Sequence, residues 1–289
     1  METNQVKIIE CPRDAMQGIV EWIPTQKKIE YINKLLRVGF DTLDCGSFVS
    51  EKAVPQMKDT AEVLRKIDLT GAASKLLAIV ANQRGAEDAV LFDELHYLGY
   101  PFSISETFQQ RNTNASIEES LERVEKIQSL CLKNKKELVI YISMGFGNPY
   151  GDPWNEEITT KWCERLNKEL DVYTIALSDT IGIANPETIH NLFSYLIPAL
   201  PQVEFGAHMH TTPTTWREKV DAAWKAGCKR FDGAIKGFGG CPMASDHLTG
   251  NMPTENLLSY FNGENINTGI NREAFDKAMM IAGTVFPMH

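Results

Sequence analysis

The chain has 289 residues, which is enough for one large domain or two small ones. Apolar residues make up 43% and charged residues 23%, so the composition is that of an ordinary globular protein and excludes disordered, collagen-like and coiled-coil chains. The net charge of −9 argues against nucleic-acid binding, and apolar runs far shorter than the ~20 residues of a bilayer span argue against a membrane partner.

Short apolar runs alternate with amphipathic stretches along the whole sequence, a pattern typical of strands alternating with helices. Strands are predicted at 6–10, 42–44, 75–80, 102–106, 138–143, 173–178, 203–208 and 230–235. The first helix is predicted to have Thr25 as its N-cap and to stop at Gly39. Further helices are predicted at 84–98, with a stop at Gly99, and at 116–131, 155–170, 185–196, 214–226, 255–261 and 273–282.

Eight strands alternating with helices predict a parallel sheet. In a chain of this length they favour an α/β fold of the closed (β/α)₈ TIM-barrel type, as a single domain over 1–289 with a short helical extension at the C-terminus. The alternative is an open doubly wound sheet. The first βα turn, at 11–17, lacks the G-x-G-x-x-G phosphate cradle, which weakens a dinucleotide-binding interpretation.

Six cysteines are scattered along the chain with no C-x-x-C pair. A chain of this size does not need disulfides to fold, so they are expected to be free thiols in a reducing compartment. The first residues pass directly into a strand-like run at 6–9, which leaves no room for a signal or transit peptide. The expected location is the cytoplasm.

The active residues of a barrel gather at the C-terminal ends of its strands. Polar and ionisable side chains recur at these positions, at Arg13, Asp14, Asp44, Ser47, Asn82, Glu106, Ser143, Asp179, Thr180, His208 and His210. Any one of them has an ordinary structural explanation, since polar residues often end strands. Their recurrence predicts a shared site at one mouth of the barrel.

The sharpest local pattern is His208-Met209-His210 at the end of the seventh predicted strand. Residues i and i+2 of a strand point to the same face, so both imidazoles are expected to face the barrel interior while Met209 packs outward on the helices. Two inward histidines suit a divalent metal completed by oxygen ligands. The alternative is a pair of hydrogen-bonded structural histidines.

Arg13-Asp14 is a charged pair directly after the first predicted strand. One interpretation is an ordinary ion pair. The functional interpretation makes Asp14 a carboxylate ligand and Arg13 a fixed guanidinium that stabilises a developing enolate oxygen.

A glycine-rich segment at 236–244 follows the eighth predicted strand and carries Cys241 at its tip. It predicts a mobile lid that delivers a thiol over the barrel mouth, with an inert core cysteine as the alternative. Asn251, just downstream, offers an amide oxygen near the same mouth or is a turn residue.

Taken together, these residues lie in a set of longer motifs. The motifs are Pro12-Arg13-Asp14-Ala15-Met16-Gln17, Ser47-Phe48-Val49-Ser50, Val54-Pro55-Gln56-Met57, Ser116-Ile117-Glu118-Glu119-Ser120, Asp179-Thr180-Ile181-Gly182, His208-Met209-His210, Gly239-Gly240-Cys241-Pro242 and Gly250-Asn251. In this order they resemble the 3-hydroxy-3-methylglutaryl-CoA lyase family, within the barrel superfamily of metal-dependent lyases and Claisen-type synthases. The resemblance runs from about residue 6 to beyond residue 254, and the S-F-V-S, V-P-Q-M and G-G-C-P elements favour the lyase over its synthase relatives.

The resemblance implies a metal site for Mg²⁺ or Mn²⁺, with the ligands Asp14, His208, His210 and Asn251. It also implies that Arg13 lies against the thioester oxygen of the substrate and that Cys241 is the lid thiol. The implied reaction is retro-Claisen cleavage of 3-hydroxy-3-methylglutaryl-CoA into acetyl-CoA and acetoacetate, with Cys241 as the candidate acid that protonates the enolate. The group that removes the hydroxyl proton is open among Asp14, Asp44 and Asp179.

The chain departs from the family pattern at four positions: Ala15 replaces a glycine, Asp44 a glutamate, Asn148 a cysteine, and Thr211 the aspartate after H-x-H. Two alternative functions follow: a related lyase or aldolase acting on another 3-hydroxyacyl-CoA or hydroxy acid, and a catalytically silent metal-binding barrel. The resemblance and the mostly apolar stretch at 278–286 also predict a homodimer that takes a small acyl-CoA substrate.

Overall fold

The computed structural model of the protein describes residues 5–240 and 249–286. Its eight parallel strands are β1 (Lys7–Glu10), β2 (Thr42–Ser47), β3 (Lys75–Ile79), β4 (Leu95–Ser103), β5 (Glu137–Ser143), β6 (Thr174–Asp179), β7 (Glu204–Thr211) and β8 (Arg230–Gly233). Consecutive strands pair with one another and β8 pairs with β1, so the sheet closes into a barrel. The predicted TIM barrel is confirmed, and the open sheet is wrong.

Helices surround this barrel. They are α1 (Pro12–Gln17), α2 (Thr25–Leu35), α3 (Thr60–Lys66), α4 (Gln83–Ala89), α5 (Glu106–Thr113), α6 (Ile117–Lys133), α7 (Glu156–Leu170), α8 (Pro186–Ala199), α9 (Trp216–Lys225), α10 (Thr254–Gly263) and α11 (Arg272–Val285). The last helix, α11, packs against α2 and forms the C-terminal extension. Within the described ranges, no helix is long and apolar enough to cross a membrane.

Several helices begin where the sequence offers a polar side chain as a cap. Asn155 accepts a hydrogen bond from Ile158 N–H at 2.8 Å and begins α7, while Ser116 and Glu119 form a reciprocal capping box at the start of α6. Thr25 differs from its prediction. It is the first residue of α2, and Pro24 occupies the N-cap position.

A ninth strand, β9 (Gly250–Asn251), runs antiparallel to β7. The pairing places Asn251 opposite His210. The segment lies 41 positions further along the chain than His210 and returns to the mouth of the barrel, which is the first of the two positions expected for Asn251.

The buried core has two parts. The larger part lies between the strands and the helices and includes Met209, as the outward position of that residue predicts. The smaller part fills the barrel interior, with the members Leu77, Ile79, Tyr97, Val139, Tyr141 and Ala176.

The fourth strand is where the predicted elements fail. The helix predicted over 84–98 is too long, because α4 ends at Ala89 and β4 starts at Leu95. Gly99, interpreted as a helix stop, lies inside β4, where a Cβ atom would come within 2.6 Å of Ile79 Cδ1. The strand predicted over 102–106 therefore starts too late, and Glu106 begins α5 instead of ending a strand.

Glu10 is a fully buried carboxyl group at the end of β1. Thr254 Oγ1 donates to its Oε2 at 2.5 Å and Ile235 N–H donates to its Oε1 at 2.9 Å, which ties β1 to α10 and to the turn after β8. Burial raises the pKa of Glu10 to about 8, although both hydrogen bonds oppose the rise.

The protonation of Glu10 predicts how stability depends on pH. The unfolded chain releases this proton near pH 4.5, whereas the folded chain keeps it to about pH 8. The free energy of unfolding is therefore expected to fall as pH rises between these values, by up to about 1.4 kcal/mol per pH unit. Glu10→Gln is neutral at every pH and should remove this slope. Urea unfolding of both proteins between pH 5 and pH 8 tests it, and identical slopes would contradict the assignment.

Candidate active site

Arg13 and Asp14 lie in the first turn of α1, directly after β1, and Pro12 begins that turn. Arg13 Nε and Nη2 donate to Asp44 Oδ2 at 3.0 and 2.5 Å, and its Nη1 donates to Asp14 Oδ1 at 2.8 Å. Gln17, one turn further on, accepts from Arg13 Nη1 at 2.9 Å and donates to Asp14 Oδ1 at 2.6 Å. The buried guanidinium is thus fixed in one orientation.

His208 and His210 of β7 both line the cavity at the barrel mouth, as the two-residue period predicts. Nδ1 of His208 lies 3.1 Å from Asp232 Oδ2, and Nδ1 of His210 lies 2.8 Å from the carbonyl oxygen of Thr180. Because these contacts engage Nδ1 of each ring, Nε2 is the nitrogen that each histidine can offer to a metal.

Asp14, His208 and His210 form a group that can hold a metal ion, since their ligand atoms all lie within 4.8 Å of one another. Asn251 adjoins this group: its Nδ2 donates to Asp14 Oδ2 at 2.6 Å and to the carbonyl oxygen of Phe238 at 2.9 Å. A carboxylate and two imidazoles, with an amide beside them, suit a divalent cation. The residues present therefore fit a metal.

A second group of ligand-forming side chains, Cys11, His208 and Asp232, meets the same distance limit. Burial raises the pKa of the Cys11 thiol well above its usual range, and the charge of Asp232 raises it further. Because a thiol binds metals as the thiolate, this group fits a metal less well than the first.

Burial and neighbouring charges set the protonation states of Asp14, His208 and His210. Burial would raise the pKa of Asp14, but Arg13 and the two histidines hold it below its usual value, so Asp14 is ionised. Burial lowers the pKa of His210 to about 4, which leaves this ring neutral, as a metal ligand must be. For His208, the hydrogen-bonded carboxylate outweighs burial and raises the pKa. Burial raises the pKa of Asp44 to about 6 against the effect of Arg13.

Asp179 ends β6 in a buried ion pair. Its Oδ2 accepts from Lys219 Nζ at 2.6 Å, and its Oδ1 accepts from Ala184 N–H at 3.0 Å. Lys219 also donates to the carbonyl oxygens of Gly182 and His210, each at 2.9 Å. The pair therefore joins the loop after β6 to the backbone of β7 at His210.

A cavity of about 410 Å³ opens at this mouth of the barrel, a size typical of small-molecule sites. Charged and imidazole groups form one part of its wall, with the members Arg13, Asp14, His208 and His210. Hydroxyl groups form another part, from Ser47, Tyr141, Ser143, Ser178 and Thr180. The remaining side chains are apolar at Val49, Ala53, Val54, Ile79, Ala81, Pro101 and Phe108 and polar at Gln17, Arg111, Asn112 and Thr113.

The structure brings most of the predicted site residues together. Arg13, Asp14, His208 and His210 line the cavity, and Asp44 and Asn251 are hydrogen-bonded to two of them. Two other predicted residues have structural roles instead. Asn82 caps α4. Glu106 is the first residue of α5 and accepts a hydrogen bond from Ile117 N–H at 3.0 Å. Cys241 lies outside the described residues.

Sequence reasoning missed Asp232, the hydrogen-bond partner of His208. Thr211 stands where an aspartate was expected after H-x-H, and Asp232 of β8 supplies the carboxylate from the neighbouring strand instead. Arg230 and Asp232 alternate on β8 as the two histidines do on β7, so the same periodicity could have indicated an inward aspartate. No comparable pattern in the sequence points to Lys219, Tyr141 or Ser178 as site residues.

Comparison with known proteins places the chain in a family. The HMGL-like family model matches residues 5–281. The cytoplasmic 3-hydroxy-3-methylglutaryl-CoA lyase of Rattus norvegicus is 33% identical over 268 residues, which are 92% of this chain and 76% of that protein. The 3-hydroxy-3-isohexenylglutaryl-CoA/hydroxy-methylglutaryl-CoA lyase of Pseudomonas aeruginosa is 32% identical over 273 residues, which are 94% of this chain and 89% of that protein.

A solved structure shows the same fold. The structure of an HMG-CoA lyase from Acinetobacter baumannii, in complex with coenzyme A and 3-methylmalate, has a TM-score of 0.89 and 29% sequence identity. The match covers 99% of this chain and 92% of that one. The resemblance seen in the motifs is therefore confirmed: the chain belongs to the HMGL-like family and is a carbon–carbon lyase.

Proposed function

We propose that the chain cleaves 3-hydroxy-3-methylglutaryl-CoA into acetyl-CoA and acetoacetate. The observation that carries this proposal is the convergence of Arg13 with Asp14, His208 and His210 on one cavity. The relatives from Rattus norvegicus and Pseudomonas aeruginosa are named for lyases of this substrate, and the Acinetobacter baumannii structure holds coenzyme A. Both observations support an acyl-CoA substrate.

Asp14, His208 and His210 would hold the metal, with Asn251 as a further ligand and Mg²⁺ or Mn²⁺ as the ion. A divalent ion in such a site supplies a Lewis acid that makes a neighbouring substrate hydroxyl more acidic. The protonation states and the ring orientation suit metal binding: Asp14 is ionised, His210 is neutral, and Asp232 orients His208.

In the reaction, the 3-hydroxyl group loses its proton and the C2–C3 bond breaks. C3 becomes the ketone carbon of acetoacetate, while the electron pair of the broken bond forms a thioester enolate that is protonated at C2 to give acetyl-CoA. Arg13 would stabilise the enolate oxygen. Its contacts with Asp44, Asp14 and Gln17 use four of the five guanidinium N–H groups among the described residues, which leaves one N–H on Nη2 for the substrate.

Asp14 and Asp44 are the candidates for accepting the hydroxyl proton. The pKa of Asp44, about 6, leaves it ionised at neutral pH, although its oxygens also hold Arg13 in place. Asp179 was the third candidate. Because its carboxylate is bound by Lys219, which also contacts the backbone of His210, we assign Asp179 a positioning role.

Cys241 is proposed as the acid that protonates the enolate, on the basis of the family resemblance and the glycine-rich motif around it. Cys241→Ser is expected to fold and to bind metal but to lose about 10²–10⁴-fold in rate, because a hydroxyl is a far weaker acid than a thiol. A thiol-directed reagent should inactivate the enzyme by labelling Cys241 before Cys11, Cys45, Cys131, Cys163 and Cys228, which are all buried. Inactivation that leaves Cys241 unlabelled would refute this role.

The reaction itself is tested by incubating purified protein and metal with a panel of 3-hydroxyacyl-CoA thioesters and identifying the products by mass. Acetoacetate and acetyl-CoA formed from 3-hydroxy-3-methylglutaryl-CoA are the expected result. Turnover of a different member of the panel alone would favour a related lyase or aldolase. No turnover of any member, with metal bound, would favour the catalytically silent barrel.

We further propose a cytoplasmic homodimer. The name of the Rattus norvegicus relative supports the location. The family resemblance supports the dimer; the C-terminal apolar stretch does not add to it, because Ala278, Ala282 and Val285 of α11 are buried against the rest of the chain. Light scattering coupled to size-exclusion chromatography measures the oligomeric state.

A further inference from the structure

The group of Cys11, His208 and Asp232 extends from the cavity into the barrel interior. His208 lines the cavity, and Cys11 and Asp232 are buried at 1% and 3% exposure. Strand register explains why they meet. Asp232 is paired with His208 of β7 and with Ile9 of β1, and Cys11 lies two residues beyond Ile9, on the same face. Three neighbouring strands therefore bring a thiol, an imidazole and a carboxylate together, with their ligand atoms within 4.8 Å of one another.

Two of these side chains have ligand atoms that the described part of the chain leaves unused. Asp232 Oδ2 faces His208 Nδ1 at 3.1 Å, but its Oδ1 is buried and has no hydrogen-bond partner within residues 5–240 and 249–286. The thiols of Cys45 and Cys228 donate to backbone carbonyl oxygens at 3.4 and 3.2 Å, and the Cys11 thiol has no such contact within the same residues. A buried carboxylate oxygen without a partner is costly, so it points to a ligand at this position.

The surroundings of the Cys11 thiol favour a cation. The carboxylates of Asp232, Asp44 and Asp14 raise the pKa of this thiol, and Arg13 lowers it with a smaller effect. The negative charges that oppose a thiolate are the charges that attract a metal ion placed among them. Such an ion stabilises the thiolate in turn, so its binding releases the thiol proton to solvent.

The thiol also selects the kind of ion. Thiolate, imidazole and carboxylate groups all bind Zn²⁺, whereas Mg²⁺ and Mn²⁺ favour oxygen ligands and gain little from a sulfur atom. The group that contains Cys11 is therefore a poor site for the ions assigned to Asp14, His208 and His210, and it suits a thiophilic ion.

The two groups share His208, and the imidazole ring can serve only one of them at a time. A neutral imidazole has one N–H and one nitrogen lone pair that can bind a metal. When Nε2 binds an ion, the ring proton is on Nδ1 and faces Asp232. When Nδ1 binds an ion beside Asp232, the proton is on Nε2, which then has no lone pair for the first group.

We propose that Cys11, His208 and Asp232 form a second metal site, which binds a thiophilic divalent ion such as Zn²⁺ and thereby excludes Mg²⁺ or Mn²⁺ from the first group. The exclusion rests on the metal ligands assigned under the proposed function, whereas the second site does not. An ion held at the second site would inhibit the lyase by withdrawing His208 from the first group.

The test uses Cd²⁺, a thiophilic ion whose bond to a thiolate absorbs in the ultraviolet. Titration of the metal-free protein with Cd²⁺ is expected to produce this absorption, and Cys11→Ser should abolish it. Cys11→Ala is a second variant, in case the first fails to fold. Both variants should keep the Mn²⁺ affinity of the unaltered protein in electron paramagnetic resonance titrations, because Cys11 is not part of the first group. Cys45→Ser replaces another buried thiol, on β2, and is the matched control that should keep the absorption.

A competition titration tests the exclusion. In the unaltered protein, added Mn²⁺ should raise the Cd²⁺ concentration that gives half of the maximal absorption. No change at Mn²⁺ concentrations that saturate the first group would overturn the exclusion.

Two outcomes overturn the second site itself. One is the absence of thiolate absorption in the unaltered protein. The other is absorption that persists in Cys11→Ser and disappears in Cys241→Ser, which would place the ion on the thiol of the glycine-rich segment. If Mn²⁺ does not bind at all, the metal ligands of the proposed function are wrong, and loss of the Cd²⁺ absorption in Cys11→Ser still supports the second site.

Discussion

Removal of divalent metal is expected to abolish cleavage of the acyl-CoA substrate, and added Mg²⁺ or Mn²⁺ should restore it. The physical reason is the group of Asp14, His208 and His210, whose ligand atoms lie within 4.8 Å of one another and in which Asp14 is ionised and His210 is neutral. The measurement is the rate of acetyl-CoA release before and after exhaustive chelation, with the metal content of the same samples determined by mass spectrometry. Full activity in verified metal-free protein would refute the ligand assignment.

A graded series of variants separates the ligands from the residues that orient them. His210→Ala removes a proposed ligand and is expected to eliminate measurable Mn²⁺ binding in electron paramagnetic resonance titrations. Asp232→Asn keeps an oxygen beside His208 Nδ1 but removes the charge, so Mn²⁺ affinity should fall by about 10–100-fold. His96→Ala, at an exposed position of β4, is the matched control and should bind Mn²⁺ normally. Equal affinity in all three variants would show that the histidines of β7 are structural.

Most of the barrel could be predicted from local pattern, because strands and helices of this chain alternate with clear stops between them. The region of β4 could not. Its residues from Tyr97 to Tyr100 are buried on both faces of the sheet, so this part of β4 shows no alternation of polar and apolar side chains. Gly99 then imitated a helix stop, although it lies inside β4, where close contact with the side chain of Ile79 favours glycine. That contact depends on strand pairing and is absent from any local window of sequence.

The same distinction applies to the candidate site. His208 and His210 are two residues apart on one strand, and Arg13 is adjacent to Asp14, so their placement follows from local geometry. Asp232 and Asn251 reach the site through the pairing of β7 with β8 and β9. Sequence motifs therefore identified the groups that face the cavity and, through the family resemblance, Asn251, whereas strand pairing was needed to find Asp232, which orients His208.

Loss of the Arg13 guanidinium is expected to lower kcat by about 10²–10³-fold, the usual effect of removing one donor that stabilises an oxyanion. KM should change less, because charge develops on the enolate oxygen mainly in the transition state. Arg13→Lys should also be poor. An ammonium group cannot reproduce the planar contacts by which Nε and Nη2 hold Asp44 at 3.0 and 2.5 Å while Nη1 holds Asp14 at 2.8 Å.

Steady-state kinetics of Arg13→Lys and Arg13→Ala, with thermal unfolding of the same samples, distinguishes catalysis from ion pairing. Arg37→Lys is the matched control, because Arg37 forms an exposed pair with Asp68 at 2.6 Å on the outside of the barrel and should keep the full rate. If Arg13 were only an ion-pair partner, its variants would unfold at lower temperature yet retain kcat while folded. A selective loss of kcat in folded variants that still bind Mn²⁺ normally would, by contrast, support a guanidinium that acts on charge formed during the reaction, because it separates that role from the hold of Arg13 on Asp14.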